Sequence, residues 1–223
     1  MEQPGIASVL AVGAGLLNAW AFANAQTFAT VQSGNVIQMG YQLVAGDWSK
    51  LLFATGAVIA FGLGSFFAGA IIAVAMRKSV RYTPFLQVAL IAVMFLALTM
   101  VMTGALRPEH IAWIISFAAG MQGNGFHKVK GMSYGNVAVT LALQLAFNYL
   151  MQSFFSKKDA NGASNLRNAG IYFLVILGFA GGGAIGFGLD KLWNGLSIVG
   201  AIAITFGLLI AAIRDRSNPD ATA

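Results

Sequence analysis

Ser33-Gly34-Asn35 and Tyr134-Gly135-Asn136 each place a glycine-asparagine pair between a short polar stretch and an apolar segment. A hydroxyl or carboxamide at a helix start accepts from free backbone N–H groups. Within a membrane such a start also presents unpaired donors and a positive dipole end, the chemistry that holds an anion or a polar solute. One copy reads as an ordinary cap. Two copies at matching places bring a binding role level with that reading. Non-helical backbone at membrane depth survives only when it is buried in protein or lines water.

Other amides lie near these pairs. Asn18, Asn24 and Gln26, then Gln122 and Asn124, fall at the inner ends of two apolar helices and face the gap that each broken helix opens. Asn136, Thr140, Gln144, Asn148 and Gln152 recur every fourth residue and so share one helical face. Asn35, Gln38 and Gln42 make a shorter version. An unpaired amide in hydrocarbon costs roughly 2–7 kcal/mol, so these stripes must meet water, a polar path or partner helices. A solute path and interhelical hydrogen bonding are both open readings.

Chemistry beyond binding finds little support. His127 sits beside Lys128 and Lys130 as a loop residue, and His110 lies at a helix end. Asp47, Glu109, Asp159 and Asp190 all fall at segment ends, whereas ion-coupled pumps place carboxylates within the bilayer. No nucleophile-base pair, paired carboxylates or metal cluster can be assembled. The chain is therefore expected not to be an enzyme and to need no cofactor or metal.

These residues must be held by membrane helices. Of 223 residues 58% are apolar, only 9% are charged and 27 are glycine. A soluble domain is about 25% charged, so a soluble enzyme is excluded; the mean hydropathy of +0.75 agrees. Six stretches approach the ~20 residues that cross the hydrocarbon core: about 5–25, 49–76, 84–105, 109–123, 169–189 and 195–213. Residues 34–46 are too short to span, and 134–155 carry the polar stripe. Ala23-Asn24-Ala25 resembles a cleavage site, but the N-terminal region carries Glu2 and no lysine or arginine, so the first helix is expected to stay. Glycine or alanine at every fourth position (Gly56, Ala60, Gly64, Ala68; Gly178, Gly182, Gly186) marks two packing faces.

Charge arbitrates the topology. If the two doubtful segments do not span, one side receives ten basic residues, Arg77, Lys78, Arg81, Lys128, Lys130, Lys157, Lys158, Arg167, Arg214 and Arg216, and the other three, Lys50, Arg107 and Lys191. Only this six-span arrangement polarises charge as the positive-inside bias requires. It makes both termini cytoplasmic. The net charge of +6 then belongs to cytoplasmic loops and implies no nucleic acid.

The halves also repeat. Residues 16–36 and 114–137 each run from an apolar helix through glutamine and a polar stretch to Gly-Asn-Val, followed by a glycine-rich span. Three spans per half would turn the second half upside down, as in many secondary transporters.

The helix with Asn18 and Asn24, Ser33-Gly34-Asn35, the glycine-rich second span and Gly120-Met121-Gln122 resemble the YoaK-like family of small bacterial membrane proteins of unknown function. The resemblance covers about residues 5–214. It implies about six helices and names no substrate. Two departures stand out: Gly123 intervenes before Asn124, and Tyr134 precedes the second Gly-Asn.

The expected fold is an all-α integral membrane protein, one transmembrane domain over 1–223. Two inverted three-helix halves, about 5–106 and 107–214, each carry a broken or re-entrant short helix, and 215–223 form a cytoplasmic tail. The expected function is a bacterial inner-membrane transporter or facilitator for a small polar or anionic solute. Its path would lie between the halves, lined by Asn35, Gln38, Asn136 and Thr140. The alternative is a non-transporting scaffold or a subunit of a larger membrane complex. Expected partners are the lipid bilayer and the solute; homo-oligomerisation stays open.

Overall fold

The computed structural model describes residues 4–126, 128, 129, 132, 133, 135, 137–159 and 162–214. Among the described residues eight helices make the fold: α1 (Pro4–Ala25), α2 (Gln32–Ala45), α3 (Trp48–Arg77), α4 (Thr83–Thr103), α5 (Pro108–Gly125), α6 (Thr140–Phe155), α7 (Asn165–Leu192) and α8 (Leu196–Arg214). The two-residue strands β1 (Lys128–Val129) and β2 (Met132–Ser133) pair antiparallel between α5 and α6. The protein is all-α, as its composition requires.

Local chemistry sets the boundaries. Gly46 ends α2 in the left-handed conformation at φ 73°, which only glycine adopts without steric cost. Asp47 caps α3 by accepting from the Lys50 backbone N–H at 3.1 Å. That bond and the nearby Lys50 ammonium hold the Asp47 carboxyl below its ordinary range. Prolines in the first turns of α4 and α5 cost no hydrogen bond.

Among the described residues five helices, α1, α3, α4, α7 and α8, are long and apolar enough to cross a membrane. The expected fourth span, 109–123, folds as α5 but does not join them, because Glu109, His110, Gln122 and Asn124 dilute its apolar run. α5 is nonetheless well sheltered, packed on α1, α3 and α4.

Two helix crossings dominate the packing, α1 on α7 and α3 on α5, and both are built on glycine. A Cβ on Gly15 would strike the Phe179 carbonyl, and one on Gly182 the Val12 carbonyl. Likewise a Cβ on Gly120 would strike the Phe61 carbonyl, and one on Gly64 the Phe117 carbonyl. The glycine-containing faces read from the sequence are therefore where backbones touch. Ala14 of α1 meets Ala119 of α5 in a cluster with Val137, and Phe61 and Phe179 pack against it. The other main neighbours are α2 on α3, α6 on α7, α1 on α8, α4 on α5, α4 on α8, α1 on α5 and α7 on α8.

Contacts also give direction. Trp20 near the end of α1 donates to the Asn194 Oδ1 just before α8, and Gly13 and Gly200 of α1 and α8 face Ile204 and Leu16 in turn. α1 and α8 are thus antiparallel. Arg81, before α4, donates to the Ala212 carbonyl at the far end of α8. One end of the bundle therefore gathers Arg77, Lys78, Arg81, Lys157, Lys158, Arg167 and Arg214, and the opposite end Lys50, Arg107 and Lys191.

Candidate functional site

The segment after α1 folds back onto it. The Thr30 N–H donates to Asn18 Oδ1 at 3.3 Å, so the chain returns almost two turns below the helix end before α2 begins. Asn35 anchors this loop. Fully buried, it accepts from Thr27 Oγ1 at 3.1 Å and donates Nδ2 to the Phe28 carbonyl and to Gln32 Oε1 at 2.6 and 2.9 Å. Its amide is thus engaged within its own loop. Helix α2 starts at Gln32 behind Val31, which makes no side-chain cap. Gly34 and Asn35 therefore lie inside the first turn, because the helix starts two residues before the Gly34 start expected from the motif, and Ser33 is exposed rather than capping. Gly34 lets the Phe28 ring approach, since a Cβ there would lie 3.0 Å from it.

The other amides divide by end. Asn24 and Gln26 turn back onto the Trp20 and Phe22 carbonyls of α1, and Gln26 is exposed. Gln38 is half-buried on α2. Toward the basic end, Gln122 donates to the Leu10 carbonyl at 3.1 Å and Asn124 to the Ser65 carbonyl at 2.9 Å, joining α5 to α1 and α3. Asn18, Gly34 and Asn35 therefore gather around one loop, with Gln122 and Asn124 apart from them.

In the second half Gly135 precedes α6 and is half-buried, and Thr140, the first residue of α6, is exposed. Asn136 and His127 lie outside the described residues. α6 turns Ala142 and Ala146 to the interior. It turns Thr140, Gln144, Asn148 and Gln152 outward, where Gln152 donates to Asn148 Oδ1 at 3.2 Å. The stripe therefore faces away from the bundle, and Asn35, Gln38 and Thr140 do not converge on one cavity.

A groove of about 250 Å³ opens between α1 and α7, lined by Gly15, Asn18, Ala19, Phe22, Phe28, Phe179, Ala180, Gly183 and Phe187. Phe22 stacks on Phe28 at 5.4 Å and meets Phe187 edge-on at 6.5 Å. Asn18 is its one polar side chain. The Asn18 Oδ1 is held by the Thr30 N–H, and the Asn18 Nδ2 has no partner among the described residues. No lysine, arginine, aspartate or glutamate lines it. At the corresponding place on the other crossing, Val137 sits against Gly123, and the Asn124 amide lies beside Gly69.

Several buried polar atoms lack partners among the described residues: Thr30 Oγ1 at the entry to α2, both amide atoms of Gln87 in α4 and Ser116 Oγ in α5. Sequence reasoning singled out none of them, nor Phe28, Phe179 and Phe187. A single threonine or glutamine in an apolar run carries no periodic signal, and the phenylalanines come together only through the α1–α7 crossing. Among the described residues no three histidines or carboxylates converge as a metal site.

No curated protein and no solved structure matches the chain. One family model does, over residues 6–213. The chain thus belongs to the family described as "Protein of unknown function (DUF1275)", an uncharacterised family of small multi-helix proteins in keeping with the YoaK-like resemblance.

Proposed function

We propose that the protein is a bacterial inner-membrane transporter or facilitator for a small, uncharged polar solute, built from two inverted halves with six crossings. The observation that carries this reading is the doubled crossing. α1 and α5 each pack a glycine against the third helical element of the other half, α7 and α3, with the same three-residue step: Val12 and Gly15 against Phe179 and Gly182, Phe117 and Gly120 against Phe61 and Gly64. α2 on α3 corresponds to α6 on α7, and α1 on α8 to α5 on α4. Such repeats commonly enclose sites at broken helices near the midplane. α5 counts as the sixth crossing because α1, α3 and α4 surround it, and a sheltered span tolerates polar residues that a lipid-facing one does not. The basic end is cytoplasmic by the positive-inside bias, which makes both termini cytoplasmic and α2 and α6 re-entrant. The protein is no enzyme in this reading.

The groove at Asn18 supports the solute class. Its phenylalanines favour an apolar face, its Nδ2 donor favours an oxygen acceptor, and it offers no cation to an anion. Thermal stabilisation of the purified protein across a panel of small neutral and anionic metabolites tests this. Some neutral carbonyl or hydroxyl compounds should stabilise the protein, and Asn18→Leu should weaken their binding about 5- to 150-fold, the loss of ~1–3 kcal/mol for one polar partner. No response in the wild type, or an unchanged response in Asn18→Leu, would contradict the reading.

The alternative, a scaffold or a subunit of a larger membrane complex, is favoured by the outward stripe of α6. Amides facing lipid are costly, and a partner helix would satisfy them. Transport and this role part on whether solutes or partner loss move the melting temperature.

A further inference from the structure

α3 and α4 follow one another in the chain yet scarcely touch, because their main partners are α5 and α8. The space between them at the basic end is a groove of about 370 Å³. Ile71, Val74 and Ala75 of α3, Val80 of the connection and Phe85 of α4 form its walls. Lys78 is the one charged residue in its lining. Lys78 follows the last turn of α3, is exposed and makes no ion pair among the described residues, and Arg77 is exposed beside it. No acidic residue occurs between Trp48 and Thr103 to neutralise them.

We propose that this groove is a binding site for one anionic phospholipid, independent of the solute groove and resting only on the multi-pass reading. An acyl chain lies along Ile71, Val74 and Phe85, and the phosphate of its headgroup meets Lys78. The apolar walls alone would accept any lipid tail. Charge complementarity at the mouth selects the headgroup: a basic residue near the membrane surface attracts anionic lipid, and an unpaired ammonium makes charge-assisted hydrogen bonds with phosphate oxygens. A zwitterionic choline lipid brings its own cation to the same place and gains less.

The test is native mass spectrometry and thermal stability of the full chain in a neutral detergent, with phosphatidylglycerol or phosphatidylcholine added. Wild type should retain one phosphatidylglycerol and prefer it to phosphatidylcholine. Lys78→Gln should reduce that preference about fivefold. Lys191→Gln at the opposite end should leave it intact. Ala70→Trp, which fills the groove from an exposed position, should remove the retained lipid whatever its headgroup. Glycerol phosphate alone should have no effect. Equal retention of the two lipids, a preference that survives Lys78→Gln, a bound lipid that survives Ala70→Trp, or a response to glycerol phosphate alone would each overturn the site.

Discussion

Asn35 and Asn18 were read from the sequence as members of one site, and the structure gives them different hydrogen-bond partners. Every polar atom of the Asn35 amide is engaged: Thr27, the Phe28 carbonyl and Gln32 use it to hold the loop against α2. Asn35→Ala should therefore lower stability by about 1–3 kcal/mol, the cost of leaving buried partners unmade, while a solute that stabilises the wild type still stabilises the variant. Melting curves with and without that solute check both parts. A loss of solute response with no change in melting temperature would return Asn35 to the binding site. Sequence alone identified the residue and its burial requirement. It did not identify its partners, because Thr27 and the Phe28 carbonyl reach Asn35 only once the chain has doubled back after α1. For the same reason Ser33, a good cap by type, is left exposed when the helix starts one residue before it.

At the scale of elements, the glycine spacing was the most legible feature. Gly64 and Gly182, each one turn from other small residues, mark the places where α3 meets α5 and α7 meets α1. Gly62, two residues away, has open space where its Cβ would be. Gly64→Ala should force the backbones apart and destabilise by about 1–3 kcal/mol. Gly62→Ala, within the same helix and outside the contact, should be neutral or stabilising by about 0.4–1 kcal/mol. Thermal unfolding of the two variants side by side measures the crossing. Equal effects would mean that helix propensity, not close approach, explains the glycines. α5 was harder to read. Its polar residues made a short, weak span in the sequence, and only the surrounding helices explain why a helix of that composition can sit at the centre. The polar stripe of α6 was legible as a stripe. Its outward direction was not, because periodicity fixes a face without saying what covers it.

For the whole molecule, the proposed transport role requires two halves of opposite orientation, meeting where Ala14 of α1 packs on Ala119 of α5. Ser49 lies exposed at the start of α3 and Ser164 exposed just before α7, at opposite ends of the bundle. The chain contains no cysteine, so single cysteines report position without background. The most direct test is labelling of Ser49→Cys and Ser164→Cys in intact cells with a membrane-impermeant thiol reagent. Ser49→Cys should react from outside, and Ser164→Cys only after the membrane is opened. Reaction of Ser164→Cys in intact cells, or of both variants from the same side, would contradict the inverted arrangement and the solute path built on it.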